Sequence, residues 1–512
     1  MIDTKLLRQK ILDLAIRGKL VPQNPADEPA SELLKKIKAE KEALVKAGKI
    51  KKDKHESFIF QGDDKRYYEQ IDGKTNDISD EIPFDLPEGW GIARIGQCIK
   101  LLNGRAYKQN ELLQQGRYKV LRVGNFFTNS SWYYSDLELE PEKYCYPGDL
   151  LYAWSASFGP QIWTGPKTIF HYHIWNVKFS GKLFDKSFLY HFFMYDKDKL
   201  QGATTGSTMI HVSMEHMNPR FIPIPPRAEQ QRIVAQIESL LKYVDEIDRE
   251  SETLEKSITL AKQKILDLAI RGKLVPQDPK DEPASELLKK VKAEKEALIK
   301  AGKLKRDKHE SFIFRGDDNC YYEQLNGKSV KITAEIPFDL PDGWVWSRLR
   351  SLGTIVGGGT PSTLNADYWN GEIPWLSPAD LTDYHKKYIS RGRKNITTDG
   401  LAHSSAVLMP SGSILYSSRA PIGYVVIARN AISTNQGFKS LVPAINGLSE
   451  FLYYILIGVT PDIKRRATGT TFKEISGAEF GETLVPLPPL REQLRIVQAI
   501  EQYDSILGAI SK

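Results

Sequence analysis

Cysteine is nearly absent: Cys98, Cys145 and Cys320 are the only three in 512 residues, and no two lie close in sequence. That argues against a disulfide framework and a cysteine-based zinc site, and it points to a reducing compartment. Long apolar runs are missing too. The stretch Phe451 to Val459 is among the longest, far short of the ~20 residues a membrane helix needs. Residues 1–20 alternate charged and apolar residues at helical spacing, without the apolar core of a signal peptide. A cytoplasmic protein with no membrane partner is expected.

Catalytic motifs are also missing. Gly73-Lys74-Thr75 and Gly327-Lys328-Ser329 resemble the end of a phosphate-binding loop, but the glycine needed five positions earlier is Tyr68 or Tyr322. No Gly-x-Gly-x-x-Gly occurs, and Gly357-Gly358-Gly359 reads as a flexible turn. Asn218-Pro219-Arg220-Phe221 is one residue from an adenine-methyltransferase motif, without the cofactor-binding glycines such an enzyme needs. No Glu-x-Lys tripeptide is present, which removes a common nuclease arrangement. The close histidine pairs, His171 with His173 and His211 with His216, lack cysteines or clustered carboxylates and read as core or surface residues. A non-catalytic chain with no metal and no cofactor of its own is expected.

What the chain does have is a repeat. Residues 10–64 match residues 264–318 without gaps at an offset of 254, with 48 of 55 positions identical. The copy continues through Glu81-Ile82-Pro83-Phe84-Asp85-Leu86-Pro87-Glu88-Gly89-Trp90 and Glu335 to Trp344. A second element repeats at an offset of 263: Ile224-Pro225-Pro226, Glu229-Gln230 and Arg232-Ile233-Val234 recur as Leu487-Pro488-Pro489, Glu492-Gln493 and Arg495-Ile496-Val497. Two blocks of similar length, 90–226 and 344–489, lie between these elements and are nearly unrelated in sequence.

After Pro226 comes a helix with a heptad stripe: Ile233, Ile237, Leu240, Val244, Ile247, Ser251, Leu254, Ile258, Ala261, Ile265 and Leu268 alternate spacings of four and three. Pro225-Pro226 blocks helix before it and Gly272 stops it. The C-terminus repeats the first part of the stripe with Ile496, Ile500, Tyr503, Leu507 and Ile510; the N-terminus repeats the last part with Leu7, Ile11 and Leu14. Lys512 maps to position 249 (512 minus 263) and Met1 to 255 (1 plus 254), so the chain ends tile almost the whole central helix. The expected fold is α+β: two mixed α/β domains separated by long antiparallel coiled-coil helices, in a cyclic pseudo-two-fold arrangement.

The expected divisions are an N-terminal helix at 1–19, a lysine-rich helical segment at 20–89, the first block at 90–226 and the central helix at 227–272. The repeated helical segment at 273–343, the second block at 344–489 and a C-terminal helix at 490–512 complete the chain. In the lysine-rich segments Pro29-Ala30-Ser31-Glu32 opens a helix, Leu33, Leu34, Ile37 and Leu44 line one face, and Gly48 closes it. The net charge of +7 permits nucleic-acid binding without demanding it.

In the first block, Lys100, Arg105, Lys108, Arg122 and Asn125 are candidate DNA contacts, since cations meet phosphate, Arg pairs with guanine and Asn with adenine. In the second, His385 to Lys394 holds five Lys or Arg in ten residues: Lys386, Lys387, Arg391, Arg393 and Lys394. This stretch suits phosphate contact and equally a solvated loop. Arg419 is a further candidate. Gly206-Ser207-Thr208 and Gly469-Thr470-Thr471 stand at matching places, the second followed by Lys473. Small hydroxyl side chains beside glycine suit close approach to phosphate, or an ordinary turn.

The repeated Pro-Pro-x-x-Glu-Gln element, the Pro-Phe-Asp-Leu-Pro-x-Gly-Trp openings and the central heptad helix together closely resemble the specificity subunits of type I restriction–modification systems. The resemblance spans essentially the whole chain. It implies two target recognition domains on double-stranded DNA, each reading half of a bipartite, asymmetric site. It also implies two modification (M) subunits that use S-adenosylmethionine, restriction (R) subunits that use ATP and Mg, and no catalysis in this chain. A helical scaffold without DNA readout is the competing reading. The lysine-rich repeats exceed the family minimum.

Overall fold

A computed structural model describes residues 2–47, 57–71, 73–83, 85–155, 158–203, 212–307, 309–469 and 473–510. The chain divides into two compact units, Met1–Ser251 and Glu252–Lys512. The boundary falls inside one uninterrupted helix.

Unit 1 opens with helix α1 (Thr4–Ile16), capped by the Asp3 carboxylate, which accepts from the Leu6 amide at 2.9 Å. Gly18 ends it at φ +65°, and an added Cβ there would collide with Pro87. Only glycine satisfies both demands. Helix α2 (Ala30–Lys46) follows. Beyond it the expectation of a helical segment to residue 89 fails. Ser57–Gln61, Tyr67–Ile71 and Lys74–Asp77 form an antiparallel three-stranded meander. The reason is a period of two: Ile59 turns inward onto Ile78 and Ile92, while Phe58 and Phe60 stack on the other face with Tyr68. The lysine-rich composition hid this short alternation.

The first block is closed at its base by a two-stranded ribbon. Its opening strand Gly91–Arg94 pairs antiparallel with its closing strand Phe221–Ile224. Between them lie a four-stranded sheet (order 159–162, 150–153, 174–179, 99–103), a second four-stranded sheet (133–135, 118–121, 168–170, 144–145) and helix α3 (Lys186–Ala203). The core of aromatic side chains includes Tyr152, Trp175, Phe188, Phe192 and Phe193.

The central helix α4 (Arg227–Ile270) starts where Pro225 and Pro226 release it. Gln230, fully buried, donates to the carbonyls of Leu183 and Pro225 and accepts from the Asp185 amide. Within unit 1, α1 runs antiparallel to the first half of α4. Arg8 pairs with Asp245 and Asp248, whereas Gln23, beyond the end of α1, donates to Glu229.

Unit 2 repeats the plan. Helix α5 (Ala284–Lys300), the meander Ser311–Arg315, Tyr321–Leu325 and Lys328–Lys331, and the ribbon of Val345–Arg348 with Leu484–Leu487 match their counterparts. The segment 273–343 was likewise expected to be helical, and the same alternation around Ile313 overrules it. The second block holds a five-stranded sheet (353–357, 439–443, 414–416, 425–428, 388–389), a three-stranded sheet (394–396, 369–376, 433–434) and helix α6 (Ser449–Arg466). Helix α7 (Leu490–Ile510) lies antiparallel to the second half of α4: Lys262 meets Asp504 and Gln277 meets Glu492.

The heptad stripe is buried at its outer ends and fades inward. Ile233, Ile237, Val244, Ile496 and Ile500 are buried; Leu240, Ile247, Ile258, Ile265 and Leu507 are half-buried; Leu254 is 39% exposed. Each fully buried Ile contributes about 1.5–3 kcal/mol. At the outer ends the blocks add a third layer over the helix pair, whereas two helices alone cannot cover the stripe from both flanks.

Candidate nucleic-acid interface

Each block joins its supporting module through the same buried junction. Trp90 donates its indole N–H to Glu229 at 3.1 Å, and Trp344 donates to Glu492 at 3.1 Å. Gln23 and Gln277 complete the two glutamates. Burial holds both carboxyls above their usual range, against the pull of these donors. Arg232 bonds Asp27 and Arg495 bonds Asp281, at 2.6 and 2.7 Å. Arg94 bridges Glu69, Glu81 and the Pro219 carbonyl; Arg348 bridges Glu323, Glu335 and the Glu482 carbonyl. These paired anchors explain why Trp, Glu-Gln and Arg recur at fixed offsets around diverged blocks. The sequence offered the recurrence; the buried acid at its centre was not anticipated.

The proposed DNA-contacting residues separate by what holds them. In unit 1, Arg122 is exposed and its guanidinium lies over Tyr133. Arg105 makes a two-pronged pair with Glu111, which raises its pKa further. Lys100 stands exposed beside Glu142 at 3.6 Å, and Lys108 is exposed where its amide bonds Glu111. Asn125 donates its amide to the carbonyls of Asn129 and Ser131, so it closes its own loop instead of presenting an amide to adenine. In unit 2, Lys387 is drawn inward. Its ammonium pairs with Glu450 and Glu501, which outweigh burial and raise its pKa. It fastens α6 to α7. Lys386, Arg391, Arg393 and Lys394 stay exposed, Arg393 beside Asp380 and Lys394 over Trp369. Arg419 shares Glu474 with Lys439. Burial works upward on the Glu474 carboxyl, and the two cations hold it below its usual range. Lys473 is exposed beside them. Ser207, Thr208, Thr470 and Thr471 lie outside the described residues.

Several of these cations stand near the ends of the block sheets. Arg122 follows the strand Tyr118–Leu121. In unit 2 Gly392 is so close to the Trp375 carbonyl that a Cβ would sit 2.6 Å from it, which brings Arg391 and Arg393 to the end of strand Trp369–Leu376. Burial, then His173, then Arg122 push the imidazole of His171 down to about 4, so it is neutral at physiological pH. Cys98 and Cys145 have thiols pushed up to about 12 by burial, which makes them inert packing. Among the described residues no group of three His, Cys, Asp or Glu stands ready to hold a metal ion, and no helix is long and apolar enough to cross a membrane.

A pair of recognition blocks on duplicated supports, bearing exposed cations, is the build of a nucleic-acid specificity protein. The family model of the type I restriction modification DNA specificity domain matches residues 87–256 and 341–512, and the chain belongs to that family. It is 28% identical to the type I restriction enzyme EcoAI specificity subunit of Escherichia coli, over 97% of this chain and 88% of that one. The EcoEI specificity subunit of Escherichia coli is 29% identical over 98% and 89%. A segment is 40% identical to the MjaIX specificity subunit of Methanocaldococcus jannaschii, covering 33% of this chain and 39% of that protein. A solved chain from work on complex assembly and conformational transition of the type I R-M system superposes with a TM-score of 0.54 at 20% identity, over 84% of this chain and 93% of that one. That likeness is one of fold.

Proposed function

We propose that this chain reads a bipartite, asymmetric site on double-stranded DNA, one half-site per block, and catalyses nothing itself. The observation that carries this reading is the contrast within each unit: nearly identical modules support blocks of different sequence, each opened and closed by the strands of one two-stranded ribbon. Identical surfaces suit two copies of one partner, here the modification subunits, with restriction subunits joining the assembly. S-adenosylmethionine, ATP and Mg belong to those partners, in the cytoplasm. Helix α4, paired with α1 in one unit and α7 in the other, serves as the spacer, an antiparallel coiled coil whose mid-length apolar residues are available to partner helices. The block limits 90–226 and 344–489 are the limits of exchangeable recognition domains. Lys100, Lys108, Arg122, Lys386, Arg391, Arg393, Lys394, Arg419 and Lys473 are the proposed phosphate and base contacts.

The test is a gel shift of the assembled complex across a salt series. DNA reading predicts specific retardation whose affinity falls steeply with salt, with a log–log slope of about −0.9 per phosphate contact. A scaffold without DNA readout would show no sequence preference at any salt. Methyl transfer by the purified chain alone would refute the non-catalytic reading.

A further inference from the structure

The two blocks differ in sequence, yet at one place their backbones are built alike. In unit 1 the chain turns at His171-Tyr172-His173, between the strands Thr168–Phe170 and Ile174–Phe179. In unit 2 it turns at Asn435-Gln436-Gly437, after the strand Ser433–Thr434. The preceding strand of each turn pairs in parallel with a block strand, 118–121 in one case and 369–376 in the other.

Three backbone hydrogen bonds brace each turn in the same way, and a fourth secures one of the bracing residues. The Leu121 carbonyl accepts from His171 N–H at 2.9 Å, and the Leu376 carbonyl from Asn435 N–H at 2.9 Å. The Phe170 carbonyl accepts from Arg105 N–H, and the Thr434 carbonyl from Gly359 N–H. The His173 carbonyl accepts from Trp154 N–H, and the Gly437 carbonyl from Ser418 N–H. The Trp154 and Ser418 carbonyls in turn accept from Val212 and Ile475. Gly104 in one unit and Gly358 in the other cross so near the turn that a Cβ on either would collide with its carbonyl oxygens. Both turns are therefore held by a shared frame, to which unit 1 adds a bond from the Tyr172 amide to the Arg105 carbonyl at 3.1 Å.

On that frame the side chains diverge completely. Tyr172 is 37% exposed, braced where Trp154 donates its indole N–H to the Tyr172 carbonyl at 2.8 Å. Its counterpart Gln436 is exposed and accepts from the Thr360 hydroxyl. The Asn435 side-chain oxygen accepts from the Gly437 amide at 2.9 Å. Cations stand beside both turns: Arg122 follows the brace residue Leu121, and Arg419 follows the brace residue Ser418.

We infer that these two turns are equivalent base-reading tips, and that Gln436 reads an adenine in the half-site of unit 2 while Tyr172 contacts a base in the half-site of unit 1. A constant rigid frame with variable exposed side chains is what base readout requires, because orientation is fixed before binding and only the recognising group changes. A side-chain amide matches the adenine N6 and N7 edge. A tyrosine ring offers a flat apolar face to a base. This inference rests on the DNA-reading function proposed above.

The experiment expresses the complete complex carrying Gln436→Ala or Tyr172→Ala and maps methylated sites by sequencing. The wild-type map tests the function itself: without a bipartite sequence, that reading fails regardless of the tips. Given such a map, Gln436→Ala is expected to relax discrimination about ten- to hundredfold at one adenine position in one half-site only. Tyr172→Ala is expected to relax one position in the other half-site. Gln436 is exposed, so Gln436→Ala should leave thermal stability unchanged, whereas the Tyr172 ring packs on His171, His173 and Trp154, so Tyr172→Ala loses some stability and its map is read well below its transition. Unaltered maps at full methylation, or an equal weakening on all sequences, would overturn the inference.

Discussion

Replacing Glu492 with alanine probes the junction that makes the blocks exchangeable. Glu492 is 1% exposed and accepts from the Trp344 indole and the Gln277 amide, both at 3.1 Å. Removing it strands a buried indole N–H, at a cost of about 1–3 kcal/mol, while exposed Gln277 turns to water. The vacated space adds about 1 kcal/mol. Against this, burial raises the Glu492 carboxyl pKa, so its removal returns part of a desolvation cost. The net expectation is a loss of about 2 kcal/mol, or roughly 4–8 °C in Tm for a unit of this size. The sign with pH follows from the raised pKa. Between the ordinary carboxyl value, about 4.3, and the raised one, the folded state binds more protons than the unfolded state, so stability falls as pH rises through that window. Glu492→Gln keeps one acceptor and abolishes that slope, so it should cost about half as much as alanine. The assay is urea and thermal unfolding of the full chain, followed by tryptophan fluorescence. Glu229→Ala should reproduce the effect in unit 1. Glu492→Ala within about 0.5 kcal/mol of the parent, or glutamine as damaging as alanine, would refute the reasoning.

Other perturbations discriminate structure from recognition. Lys387→Ala should destabilise the chain by about 1–3 kcal/mol, because it leaves Glu450 and Glu501 facing each other, with the methylated sequence unchanged; a changed half-site would contradict this. Arg393→Ala should instead weaken binding uniformly across sequences and lower the salt slope by about one, as titration of the complex would show. Burial pushes buried His191 down to about 4. The unfolded chain therefore holds more protons between about 6.5 and 4, so stability is full above that window and falls as pH drops through it, by up to about 3 kcal/mol; His191→Gln should flatten that acid slope in unfolding curves. Four residues inserted between Glu250 and Ser251 add about 6 Å of helix; the methylated site should gain spacer length and keep both half-site sequences, whereas the original spacing at full activity would remove α4 from the role of ruler.

Much of the scaffold was legible because it repeats. The heptad spacing from Ile233 to Leu268 located α4, and Gly272 marked its stop, since a left-handed turn pressed against Pro341 admits nothing larger. The meanders were missed because five-residue strands such as Ser57–Gln61 carry too few residues to override a lysine-rich composition. Most candidate contacts were chosen by charge and the rest by hydrogen-bonding type, and neither says where a side chain points. Lys387 is spent on two carboxylates of the fold, and Asn125 on its own loop. The tips at 171–173 and 435–437 have no sequence in common, so only the shared hydrogen-bond frame reveals their equivalence.

The central claim is that each unit reads one half-site by itself. The most direct measurement exchanges residues 90–226 for a block of different sequence and maps methylated adenines in a host carrying the complete complex. The expected map changes one half-site entirely and preserves the other half-site. A map in which both half-sites change, or neither does, would contradict the account.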